Sequence, residues 1–256
     1  MTKAKEFACL TRVIQSIPRR LCLGPRRRSL LNLLLPAIFV IFFGGLSTAV
    51  KLSPRAYDWR RQSISWLLYP YNDPNFHVIA SLAVAATGLL MVPCAAYIRA
   101  QLTSTSMTFT NLGALLLSLG AVLLILAGLI VSHPYTGTAS FPRLHETLAR
   151  GAALALGMGM VMLWLSAIRI WFTSRLDWAL HLRALLIAWT LLIAPAIAVV
   201  SLRLLARAER GRSSGMLGAI ANRHLWHLGF WEWTGAGAVF LFLLSSALFL
   251  PERAVE

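Results

Sequence analysis

Apolar residues gather into six long runs, at residues 30–50, 76–98, 112–132, 147–172, 184–205 and 225–250, and polar residues concentrate in the short stretches between them. A helix needs about 20 residues to cross the roughly 30 Å hydrocarbon layer of a bilayer, and each run meets that length. The pattern predicts an all-α polytopic membrane protein with six transmembrane helices in one bundle. The connections are too short to hold a soluble domain. Three regions follow: a basic arm at 1–29, a transmembrane domain at 30–250 and a short tail at 251–256.

Composition agrees with this class. Hydrophobic residues make up 58% of the chain and charged residues 13%, against about 25% charged in a soluble domain. The arm carries Lys3, Lys5, Arg12, Arg19, Arg20, Arg26, Arg27 and Arg28 against the single acid Glu6. Positive charge before the first span holds that end in the cytoplasm, and six crossings bring the carboxyl terminus back to it; the expected location is the cell membrane. Arg207, Arg210, Arg212 and Arg223 oppose this orientation, because their connection would then lie outside. A cleavable signal peptide over residues 1–49 is the rival reading, but its basic region is too long and its apolar run too full. The net charge of +15 comes without any nucleic-acid recognition motif. Membrane lipids, with anionic headgroups near the arm, are the expected partners, and nucleic acid is not. Oligomeric state is left open by the sequence. Cys9, Cys22 and Cys94 have no metal-type spacing and lie toward the reducing side, so no structural disulfide is expected. Cys22, beside the run Arg26 to Arg28, is a candidate for palmitoylation.

Relative sidedness depends only on the number of spans. The first, third and fifth connections share one side, and chemistry collects there. The first holds Asp58, Arg60, Arg61, Ser63, Ser65, Tyr69, Tyr71 and Asp73, and leads to His77; the third is bracketed by His133 and His145; the fifth delivers His224 and His227. Only His181 falls on the opposite side. Trp59, Trp66, Trp226, Trp231 and Trp233 fit an aromatic belt at this interface.

Two charges enter the spans from the same side, Arg150 about one turn deep and Glu232 about two turns deep. Ionisable groups at such depth usually face the bundle and have a partner. Gly229, Glu232, Gly235 and Ala236 share one helical face whose small residues admit another helix. Two readings stand: an Arg150–Glu232 pair across helices, or a local Arg150–Glu146 pair with Glu232 structural.

The histidines are open to two readings as well. Each alone fits an interfacial anchor, whereas His133, His145 and His227 with Glu232 suit a zinc or acid–base site, since neutral imidazole and carboxylate are ordinary zinc ligands. No HExxH-like spacing is present. Haem is not expected, because its histidine pairs would be buried across helices and these sit at span edges. Ser65, in the sequence Arg61-Gln-Ser-Ile-Ser-Trp-Leu-Leu, is a candidate nucleophile without a glycine-flanked elbow. The alternative is a short interfacial helix with Trp66 and Leu67 lying on lipid and the serines as caps.

The first-connection pattern Leu52-Ser-Pro-Arg-Ala-Tyr-Asp-Trp-Arg-Arg-Gln-Ser-Ile-Ser-Trp-Leu, the later His133-Pro-Tyr-Thr-Gly and Leu144-His145, and Gly229-Phe-Trp-Glu232 together resemble the domain-of-unknown-function 998 family. Trp66 and Trp233 stand where that family commonly has an acid and a base. The resemblance implies a six-helix bundle with its polar residues on one face and brings no established activity. The leading expectation is recognition of a lipid or amphiphile in a polar cavity on the non-cytoplasmic side, with His145, Arg150 and Glu232 at its floor. A metal-assisted intramembrane lipid hydrolase using Ser65, His145 and Glu232, and a structural or assembly protein, are the alternatives. No inverted repeat or paired broken helix supports transport.

Overall fold

Apolar runs of this length satisfy their backbone polar groups in lipid only by closing them into helices. The computed structural model describes residues 26–70, 72, 75–102, 107–131, 141–173, 179–209 and 228–250. Among these residues there is no β-strand, and six helices are long and apolar enough to cross a membrane. The fold is an all-α polytopic bundle. Its elements are α1 (Arg27–Leu52), a short helix α2 (Ile64–Leu68), α3 (His77–Leu102), α4 (Met107–Val131), α5 (Phe141–Thr173), α6 (Ala179–Glu209) and α7 (Leu228–Phe249).

Several helices outrun the hydrophobic stretches that predict them. α5 begins at Phe141, six residues before its apolar run, so His145 and Glu146 are already helical. A backbone ladder once started continues into polar sequence until a breaker or a turn stops it. α1 contains two wider π turns, Leu30–Leu34 and Val40–Gly44. The first precedes Pro36, whose ring has no N–H to give and crowds the preceding turn; widening the helix there, with Leu35 N–H bonded to the Leu30 carbonyl, relieves it.

α3, α4 and α5 are successive antiparallel neighbours and pack most extensively. Small residues let their backbones approach. A Cβ at Gly88 would stand 2.6 Å from the Ala121 carbonyl oxygen, and one at Gly128 would stand 2.7 Å from that of Ser81. Without a hydrophobic drive between helices in lipid, such close van der Waals packing is what associates them. α6 and α7 join through a Trp189–Phe242 stack with centroids 4.4 Å apart, and Trp189 Nε1 donates to Ser245 Oγ at 3.1 Å. α1 leans on α3 at Gly45 and Ala83 and on α7 through Phe39 and Phe240. At its start Arg27 Nε donates to the Ala247 carbonyl at 2.9 Å, and Nη2 donates to that of Leu248. A guanidinium thus meets the terminal carbonyls of α7, where the helix dipole favours a cation.

Candidate functional site

The first connection folds back onto the bundle. Its turn is set by Asp58, whose carbonyl accepts from the N–H groups of Arg61 and Gln62 and whose Oδ1 accepts from Arg60 N at 3.0 Å. The Gln62 Oε1 returns the bond by accepting from Asp58 N at 2.7 Å. The chain then enters α2 with Ser63 as its N-cap, its Oγ accepting from Trp66 N at 3.2 Å. That leaves the amides of Ile64 and Ser65, orphans of the first turn, in a part-buried setting. Glu232 of α7 takes them: its Oε2 accepts from Ile64 N at 2.6 Å and from Ser65 N at 3.4 Å. A carboxylate at a helix amino end also complements the dipole.

Two further contacts fix the same junction. Trp233 Nε1 donates to Tyr57 Oη at 2.9 Å, and Tyr57 Oη in turn lies 3.1 Å from the Gln62 carbonyl and 3.2 Å from that of Ser63. Burial pushes the Tyr57 phenol up to about 12; the Trp233 bond works against this, and the Glu232 and Asp58 carboxylates add to it. Gly229 sits against the backbone of Gln62 so tightly that a Cβ would overlap it. α2 is therefore a strap drawn down onto α7. Leu67 and Leu68 enter a core with Leu46, Ala49, Ala80 and Val84.

This arrangement corrects several expectations. Arg150 and Glu232 do not pair. Arg150 Nη2 is 2.5 Å from Glu146 Oε1, and both side chains are largely exposed, at 73% and 53%. The residues are one turn apart on α5, so the local contact needs no cross-helix fit. Leu67 packs inside protein and not on lipid. Gly229 approaches a loop, while Gly235 faces open space, so the predicted small-residue face does not seat a helix. Among the described residues no hydrogen bond reaches the Ser65 hydroxyl, and no three His, Cys, Asp or Glu side chains come together. His133 and His227, two of the candidate metal ligands, lie outside the described residues, as do Tyr71, Asp73 and His224.

His145 stays at the centre. It is 3% exposed. Its Nδ1 lies 3.0 Å from the Ala127 carbonyl oxygen, and a carbonyl only accepts, so Nδ1 carries the proton. Tyr69, just past α2, meets the ring in a T-shaped contact with centroids 5.6 Å apart. The Nε2 lone pair is sealed in with no hydrogen-bond partner among the described residues. Sequence reasoning passed over Ser81, which is 1% exposed, with an Oγ that has no partner either. The signal was present: Ser81 lies one turn beyond His77 and seven residues before Gly88, on the face of α3 that meets α4.

No protein-family model matches the chain, and comparison with curated proteins and with solved structures returns no match.

Proposed function

We propose that this membrane protein recognises a lipid or amphiphile whose head reaches a polar site on the side of the first connection, beneath the α2 strap. The supporting observation is His145. A buried imidazole held in one tautomer by a backbone carbonyl, with its second nitrogen unfilled, is a fixed acceptor kept at some cost, because a buried polar group without a partner is unfavourable by about 1–3 kcal/mol. Arg150 and Glu146 stand exposed on the same helix, the first about one turn beyond His145 and the second next to it in sequence. Glu232, whose Oε2 is engaged by the amides of α2, acts in this reading as the strap's anchor.

The site belongs to the non-cytoplasmic face on this proposal, with both termini cytoplasmic and the protein in the cell membrane. The basic arm supports that orientation through anionic headgroups of the inner leaflet. The resemblance to the domain-of-unknown-function 998 family supports the grouping of polar residues on one face.

Purification into lipid nanodiscs, followed by mass spectrometry of what remains bound after delipidation, tests the reading. Wild-type protein should retain a defined lipid species that His145→Phe loses while keeping its fold. Identical bound lipid in both would reject it. Metal analysis of the same samples addresses the hydrolase alternative, which His145 also fits in one respect: a metal-binding histidine usually donates its other N–H to a carbonyl or carboxylate. About one zinc per chain, lost with His145, would move the reading to that enzyme.

A further inference from the structure

α2 has only five residues, far fewer than the roughly 12–15 at which an isolated helix begins to hold in water. It keeps its shape through what it touches. At its start stand the Ser63 cap and Glu232 Oε2, and Leu67 and Leu68 lie in the core beside Leu46 and Val84. Past its end Asn72 donates its N–H to the Tyr69 carbonyl at 3.0 Å and its Nδ2 to the Trp66 carbonyl at 3.2 Å. Tyr69 is thereby fastened to α2 and moves with it.

The strap bridges two helices. Gln62, before α2, lies on Gly229 of α7, and Tyr69, after it, meets the ring of His145 on α5. His145 is buried although Leu144 and Glu146 on either side of it are exposed, and the residue that touches its ring, Tyr69, is only half-buried. The imidazole thus lies close under the surface with a short, externally held segment against it. Such a segment can open locally while the rest of the bundle stays folded.

Resting on the amphiphile reading, we infer that α2 with Tyr69 is a lid over His145, that this structure is its closed form, and that the Glu232 clamp sets how often it opens. With the lid down, His145 Nε2 is enclosed. With it raised, the Tyr69 ring leaves the imidazole and the lone pair becomes reachable from the side of the first connection. A ligand admitted only to the open form binds with its intrinsic affinity reduced by the open fraction. Glu232 therefore governs access without meeting the ligand.

The test follows carbethoxylation of His145 by diethyl pyrocarbonate in the full-length protein in nanodiscs. Trypsin releases the residue in the peptide Leu144–Arg150, where it is the only histidine. Wild-type His145 should react far more slowly than the exposed His181. Its rate should follow amide exchange at Ile64 and Ser65, rising on the order of 100-fold in Glu232→Leu and about 5-fold in Glu232→Gln. Tyr69→Ala, which removes the cover and keeps the clamp, should raise it with no change of exchange at Ile64. Gly235→Ala should leave it as in wild type. Alkylation of the fully buried Cys94 by N-ethylmaleimide reports unfolding; if Glu232→Leu fails that control, Glu232→Gln decides. Faster exchange at Ile64 with an unchanged rate at His145 overturns the lid, and so does a wild-type His145 as reactive as His181. No lipid enters this test. A lid that opens as expected while His145→Phe keeps its bound lipid refutes the amphiphile reading and leaves the lid standing; the reverse pair of results refutes the lid alone.

Discussion

Replacing Glu232 tests the junction that ties the first connection to the bundle. Its Oε2 holds the Ile64 amide at 2.6 Å and the Ser65 amide at 3.4 Å. Hydrogen bonds to a charged group contribute about 1.5–3 kcal/mol, and at 3.4 Å the second bond adds little. Glu232→Leu deletes the acceptor and leaves one part-buried amide unsatisfied, so α2 should undock more easily by about 3 kcal/mol. Glu232→Gln retains an acceptor and loses the charge and the dipole interaction, which should cost about 1 kcal/mol. Hydrogen exchange in nanodiscs reads this opening directly. At tenfold per 1.4 kcal/mol, exchange at Ile64 and Ser65 should accelerate by on the order of 100-fold in the leucine variant and about 5-fold in the glutamine variant, with α4 and α5 unaffected. Unchanged protection in Glu232→Leu would refute the clamp. Arg150→Met supplies the complementary control. Its partner is Glu146, so its effect should add to that of Glu232→Gln within about 0.5 kcal/mol, and a larger coupling would mean that the two charges meet after all.

Four other outcomes follow from the same geometry. Gly229→Ala should lower thermal stability by about 1–3 kcal/mol, because its Cβ would overlap the Gln62 backbone, whereas Gly235→Ala, facing open space, should not. Tyr57 should resist ionisation. With the phenol raised from 10.0 to about 12 in the folded protein, its contribution to stability is complete below about pH 10 and is lost as pH rises toward about 12; ultraviolet titration of wild type against Tyr57→Phe measures this. Single cysteines at Arg60 and Glu146 should react with an impermeant thiol reagent from one side and a cysteine at Arg183 from the other, and mixed labelling would break the six-span map. Arg27→Met should reduce protection at the carboxyl end of α7 with a stability loss of about 1 kcal/mol, read by hydrogen exchange.

The span count was readable from hydropathy because lipid imposes one length and one way of pairing the backbone. Helix ends were less readable: Phe141 to Glu146 belong to α5 although Pro142, Arg143, His145 and Glu146 interrupt the apolar pattern there. Depth in its span singles out Glu232, but its partners are main-chain amides, which have no residue type to search for. That is why arginine was put forward in their place. The exposed Glu146 was the simpler partner for Arg150, since four residues of helix suffice to bring them together. Ser81 drew no attention because a serine among alanines and leucines looks like a filler residue; that its hydroxyl is enclosed without a partner among the described residues follows from the close packing of α3 on α4, not from the sequence.

The contact of Arg27 with the last carbonyls of α7 has a consequence for the order of assembly. α1 leaves the ribosome first, and part of what holds it is made last: the Ala247 and Leu248 carbonyls, and Phe240 against Phe39. Until α7 is inserted, α1 has α3 to lean on at Gly45 and Ala83 but lacks the latch at its start, while α3, α4 and α5 already have one another. Chains stopped before Ala247 should therefore hold a formed three-helix centre and an unlatched first helix, and synthesis itself becomes the clock that decides when the bundle closes.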